Sequence, residues 1–269
     1  MTGCIPPERD FFEGLYRAYN HYEYIHPDPL EFVYQFPEGP EQEIVGLIAS
    51  SLAYGRVAQI LKSVGSVLDK MGKSPRQYIE NSSPEYMQKT FAAFKHRFTT
   101  GAEMASLLTG IKKILDDYGS LENCFFSGMD NEVTIMPALD KFATEAALGN
   151  EFRSLLPMPS AGSACKRLNL YLKWMIRNDE VDPGCWKKIP PSKLVMPLDT
   201  HIFRICSGLG ITSRKSADMK TALEITSFFR SINPEDPVKY DFALTRPGIW
   251  NGRIPEECRE ILKEEAVYG

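Results

Sequence analysis

Apolar residues along most of this chain recur at helical spacing. In the stretch EQEIVGLIASSLAYGRVAQILKSVGSVLDKM, Ile44, Leu47, Ile48 and Leu52 share one face, and Val57, Ile60, Leu61, Val64 and Leu68 form a second stripe. The segments SPRQYI, SPEYMQKTFAAFKHRF, TGAEMASLLTGIKKILDDYG, SLENCFFSG and VTIMPALDKFATEAAL follow, most opening on Ser or Thr at a cap-like position. Short breaks at 72, 82–84, 99–101 and 119–120 separate them. Alternating strand patterns are scarce, and no fixed-period repeat or low-complexity segment occurs. The pattern predicts an all-α protein of about ten helices.

Two later segments carry chemistry as well as periodicity. In VMPLDTHIFRICSGLGI, Ile202, Ile205, Cys206 and Leu209 make one helical face, so Asp199 falls at the N-cap. Capping alone is a sufficient role for an aspartate there. Upstream, in LPMPSAGSACKRLNLYLKWMIRN, Gly162 permits a tight turn, and Ser163, Ala164 and Cys165 keep it small. A helix over about 163–177 is expected next, with Leu168, Leu172 and Met175 inward. A small-residue turn with exposed N–H groups at a helix start suits a phosphate. Lys166 and Lys173 stand two turns apart on nearly one side of that helix. Ordinarily such lysines are snorkelling surface residues. Between the two segments, NDEVDPGCWKKIPPSKLVMP reads as an ordered surface loop leading into Asp199.

Composition narrows the class. With 269 residues, 43% hydrophobic and 25% charged, the chain is an ordinary globular one. No basic-then-apolar leader opens it, and no apolar run nears the ~18 residues of a membrane span. Cysteines at 4, 124, 165, 185, 206 and 258 form no CxxC pair, which fits reduced thiols in a cytoplasm and predicts neither a metal site nor a cofactor. The net charge is −4, but residues 151–220 carry twelve Lys/Arg against six Asp/Glu. An acidic chain with one basic stretch suits a polyanion bound on one face, although salt-bridged solvated helices would look the same.

GSACKRLNLYL followed by PLDTHIFRI resembles the helix-hairpin-helix DNA glycosylase superfamily, which pairs a small-residue hairpin and a lysine with an aspartate in VDTHV.R. With LYRAYNHYEYIHPDP, EIVGLIASSLAYGR and DFALTR, the chain looks like a bacterial family related to archaeal 8-oxoguanine DNA glycosylases. The resemblance implies a two-lobed fold, with residues 43–160 as one helical lobe and 1–42 plus 161–269 as the other. It places Lys166 as nucleophile and Asp199 as the essential carboxylate. It puts Lys173 against the flipped base, with Tyr54, Arg56, Trp174, Asp241 and Trp250 as further pocket residues. DNA contact is assigned to Gly162, Ser163, Ala164, Arg167, His201 and Arg204. Two departures stand out: Ala164 replaces the second hairpin glycine, and Pro247 interrupts the last helix.

The implied activity is excision of a damaged base, most readily oxidised guanine, from double-stranded DNA. A lysine Schiff base and strand cleavage would follow, in a cytoplasmic, monomeric, membrane-free enzyme. A non-catalytic DNA- or RNA-binding member of the fold is the first rival, and a purely structural helical protein the second.

Overall fold

The computed structural model describes residues 6–37, 39–148, 155–159 and 162–249. The chain is all-α, with twelve α-helices among those residues. Helix α1 (Arg9–Tyr19) buries Phe11, Phe12, Leu15 and Tyr19. A 3-10 segment over Pro29–Gln35 opens on Asp28, whose carboxylate accepts from the Leu30 N–H. Helices α2 (Pro40–Ser51), α3 (Val57–Met71), α4 (Pro75–Asn81), α5 (Pro84–Phe91), α6 (Gly101–Tyr118), α7 (Leu121–Phe126) and α8 (Met136–Ala146) follow. Then come α9 (Lys166–Ile176), α10 (Thr200–Gly208), α11 (Met219–Ile232) and α12 (Asp241–Ile249). One connected apolar core runs from Phe11 to Leu244. No helix among the described residues is long and apolar enough to cross a membrane.

The expected caps are in place. Ser74, Ser83 and Ser120 accept from the backbone N–H groups of Gln77, Tyr86 and Asn123. Thr100 and Glu103 close a reciprocal capping box on α6. Each such cap removes an orphan donor worth about 1 kcal/mol.

Four local expectations change. First, α2 is not amphipathic: residues 42–51 are buried on every side, because α2 is the central helix around which the others pack. Gly46 lets α9 lie close against it, since a Cβ there would come within 2.8 Å of Met175 Cε. Second, the helix read through AAFKHRF stops at Phe91. Lys95–His96 (β1) and Thr99–Thr100 (β2) form an antiparallel hairpin instead, in register His96↔Thr99. The capping box at Thr100 starts α6 there, and Gly101 is needed because a Cβ would sit 1.8 Å from the Phe91 carbonyl oxygen.

Third, 178–197 is a surface loop only in part: Asn178, Glu180, Lys187, Lys188 and Pro190 are exposed, but much of the rest is not. Val181, Trp186, Ile189 and the whole run Leu194 to Leu198 are buried. Buried backbone must find partners. The Gly184 and Trp186 N–H groups donate to the carbonyls of Trp174 and Met175, and the Met196 N–H donates to Thr226 Oγ1. Trp186 Nε1 donates to Glu43 Oε2 on α2, whose carboxyl burial pushes up in pKa. Fourth, α9 begins at Lys166, three residues later than expected, because the turn before it uses two left-handed residues, Gly162 at φ 78° and Cys165 at φ 47°.

Candidate active site

The first turn of α9 and the N-cap of α10 face each other. Lys166 opens α9, and its Nζ lies 3.5 Å from Asp199 Oδ2. The same ammonium donates to the Ala53 carbonyl at 3.4 Å, so it spans from α10 to the end of α2. Asp199 divides its labour between two oxygens. Oδ1 accepts from the His201 and Ile202 N–H groups at 2.9 and 2.8 Å, as the cap reading requires. Oδ2 faces Lys166, with His201 Nδ1 at 3.6 Å. One oxygen holds the helix and the other is available for chemistry.

Lys166 and Asp199 line two clefts at once. The narrower, about 80 Å³, is walled by Leu170, Trp174, Pro197, Ile202 and Phe242, with Lys173, Asp241, Asp28 and Arg246 supplying charge. The wider, about 450 Å³, runs past Ala53, Tyr54, Gly55, Ser163, Arg167, Thr200 and His201.

Lys173 is not a surface lysine. It is 1% exposed; its Nζ donates to Asp241 Oδ2 at 2.9 Å, lies 3.6 Å from Asp182 Oδ1 and sits 5.7 Å from the Phe242 ring centre. Burial acts to lower its pKa, but the carboxylates of Asp182 and Asp241 outweigh it and hold the amine above its ordinary value. Burial pushes Asp182 the other way, up to about 6, although Lys173 and Arg177 favour its charged form. Arg177 bonds Asp182, Asp179 and Asp236, and Tyr16 donates to Asp179, so Lys173 is backed by a buried ionic network that does not itself line the cleft. Arg246 adds the opposite wall: it donates to the Tyr24 carbonyl and to Asp28 Oδ2, with its guanidinium 3.9 Å from the Phe242 ring centre. Asp28, Arg177, Asp182 and Arg246 were not singled out from sequence. Arg246 and Asp28 pair across 218 residues, which no local spacing signals, whereas Arg177 and Asp182 pair across only five.

Among the remaining predicted residues, Tyr54 lies under the Arg167 guanidinium at 4.9 Å, and its hydroxyl donates to the His96 carbonyl while contacting Thr99 Oγ1. Arg167 donates to the Ser51 carbonyl, and burial lowers its pKa; it is bound into the fold as well as lining the groove. Ser163 Oγ accepts from the Cys165 N–H, and the Ala164 carbonyl accepts from Asn169. Gly162 is exposed with open space around its α-carbon. Trp174 is buried at the narrow cleft. Arg56 and Arg204 are exposed, and neither lines either cleft among the described residues. Trp250 lies outside the described residues. Among those residues no three His, Cys, Asp or Glu side chains converge as a metal would need.

Residues 28–250 match the model of a family described as a protein of unknown function, DUF2400. No curated protein and no solved structure matches the chain.

Proposed function

We propose that this chain, which belongs to the DUF2400 family, is a DNA glycosylase with lyase activity that removes a damaged base, oxidised guanine above others, from double-stranded DNA. The observation that carries the reading is the Lys166–Asp199 pair, 3.5 Å apart at the meeting point of two clefts. The narrow cleft is suited to a polar heterocycle. It offers apolar walls from Trp174, Leu170 and Phe242, with donors on Lys173 and acceptors on Asp241. The wide groove, with Ser163, Arg167 and His201, is suited to the strand from which the base is drawn. The two-lobed helix-hairpin-helix architecture, with 43–160 in one lobe, and a cytoplasmic monomer belong to the same reading.

The resting ammonium of Lys166 must first lose a proton, and Asp199 Oδ2 is the adjacent acceptor. The neutral amine then attacks C1′, the glycosidic C–N bond breaks, and its electron pair leaves with the base, which takes up a proton. As the bond lengthens, positive charge grows on the sugar; the departing base takes the proton that Asp199 accepted from Lys166, and the restored carboxylate stabilises that charge. Proton transfer to the ring oxygen opens the sugar and leaves an imine between Lys166 and C1′. Loss of a C2′ proton then expels the 3′ phosphate.

Borohydride reduction during incubation with oligonucleotides bearing single lesions, 8-oxoguanine among them, tests the reading. A covalent protein–DNA adduct, lost in Lys166→Gln, is expected. Duplex binding without an adduct on any lesion would favour the non-catalytic member of the fold.

A further inference from the structure

The β1–β2 hairpin ends in a side chain for which the fold has no use. Phe98 is 76% exposed, the highest value among the described large apolar residues. Everything around it is fixed. The register leaves Arg97 and Phe98 as the two-residue turn, while His96 and Thr99 on either side are fully buried. The Tyr54 hydroxyl holds both flanks, through the His96 carbonyl and Thr99 Oγ1, and the His96 ring is held by Ser63 Oγ and the Tyr54 carbonyl. Arg97 adopts φ 52°, left-handed backbone that side chains rarely take. Its side chain lies over Gly55, where a Cβ would meet Arg97 Cδ at 2.8 Å, and its guanidinium is 5.5 Å from the Phe98 ring centre. Gly55 and Tyr54 are walls of the wide groove that Lys166 and Asp199 also line. An unburied aromatic therefore stands on a stapled turn whose Arg97 packs against a wall of that groove, and Tyr54 couples the turn to Arg167 in the first turn of α9.

We infer that Phe98 is a wedge that enters the base stack of duplex DNA where a nucleotide has been drawn out. The inference rests on the glycosylase reading above. Drawing a nucleotide out of a duplex leaves a gap in the stack, and an aromatic face fills it whatever the neighbouring bases are. Apolar side chains placed between base steps hold DNA in the deformed state. A preformed turn loses little freedom on insertion, and Arg97 beside it brings a cation towards the phosphates.

The test uses duplexes with one abasic site, which needs no choice of damaged base, and the same site within an unpaired bubble. Single-turnover borohydride trapping is measured for wild type, Phe98→Ala and Phe98→Trp. The alanine variant should trap the paired site at least about ten-fold more slowly, in line with loss of one base–aromatic stack. It should handle the bubble within about two-fold of wild type, because no stack is left to fill there. The tryptophan variant should restore the paired rate. Equal rates for wild type and Phe98→Ala on the paired site, or equal losses on both substrates, would overturn the wedge. If wild type itself forms no adduct with any abasic DNA, the glycosylase reading falls and takes the wedge with it. A normal wild-type adduct with an unaffected Phe98→Ala removes the wedge alone.

Discussion

The Lys173 ammonium and the Asp241 carboxylate meet at 2.9 Å across 68 positions of chain, with 1% and 6% of each residue exposed. A pair buried to that degree is sensitive to losing one partner, because the other charge is left without compensation. Lys173→Gln is therefore expected to lower unfolding stability by about 3 kcal/mol in urea titrations, besides weakening base recognition. The double variant Lys173→Met/Asp241→Leu should recover much of that loss, and a loss equal to the sum of the single variants would show the two groups to be uncoupled.

Asp199→Asn separates the two oxygens of that side chain. The amide oxygen can still accept from the His201 and Ile202 N–H groups, so stability should fall by less than about 0.5 kcal/mol. Excision should drop by two or more orders of magnitude, roughly, since the charge facing Lys166 and the sugar is gone. Excision by a folded Asp199→Asn protein at the wild-type rate would remove Asp199 from the chemistry.

Lys166→Gln should be nearly silent in stability, within about 1 kcal/mol, because its side chain is one-third exposed and its ion pair partly solvated. Borohydride trapping should disappear altogether. Trapping lost instead in a folded Lys173→Gln protein, with Lys166→Gln unaffected, would exchange the roles of the two lysines.

His96 sets a pH dependence. Its ring is fully buried, and burial lowers its pKa below the ordinary 6.5, so the unfolded chain binds the proton more readily than the folded one. The stability it contributes is complete above pH 6.5 and is lost as pH falls through that value toward the folded pKa. Between about pH 7.5 and about pH 5.5 the melting temperature of wild type should fall relative to that of His96→Gln, whatever the common trend set by other groups such as Asp182. Parallel slopes would acquit His96.

Gly162 has a positive φ but open surroundings, so Gly162→Ala meets backbone strain of about 1 kcal/mol and no clash. Binding to all duplexes should weaken alike, because backbone contacts position DNA without reading it. A change confined to lesion preference would move the phosphate contact elsewhere.

How legible these features were in the sequence depended on their range. The Asp199 cap, the Ser and Thr helix starts and the Lys166 helix all follow from patterns a few residues long, and the helical class follows from their sum. The buried part of 178–197 was hidden because proline and lysine there imitate a surface loop, while its partners Glu43 and Thr226 lie on helices elsewhere in the chain. Likewise, nothing near Lys173 announces that Asp182 and Asp241 will close over it, nor that Arg246 will reach Asp28. The hairpin at 95–100 was masked by the apolar residues of AAFKHRF, which continue a helical rhythm that the Thr100 cap interrupts.

The early and late parts of the chain are knitted together: Lys239 and Tyr240 both bond Glu13 of α1, and Arg246 bonds Asp28. A ribosome delivers these partners in order, Glu13 and Asp28 first. Until residues 239–246 emerge, Glu13 has neither of those partners and Lys173 has only one of its two carboxylates. A nascent chain stalled at position 235 can build α2 through α9 and still lack a wall of the narrow cleft. Arrival of residues 239–246, rather than collapse of the helical core, is the step that completes that wall.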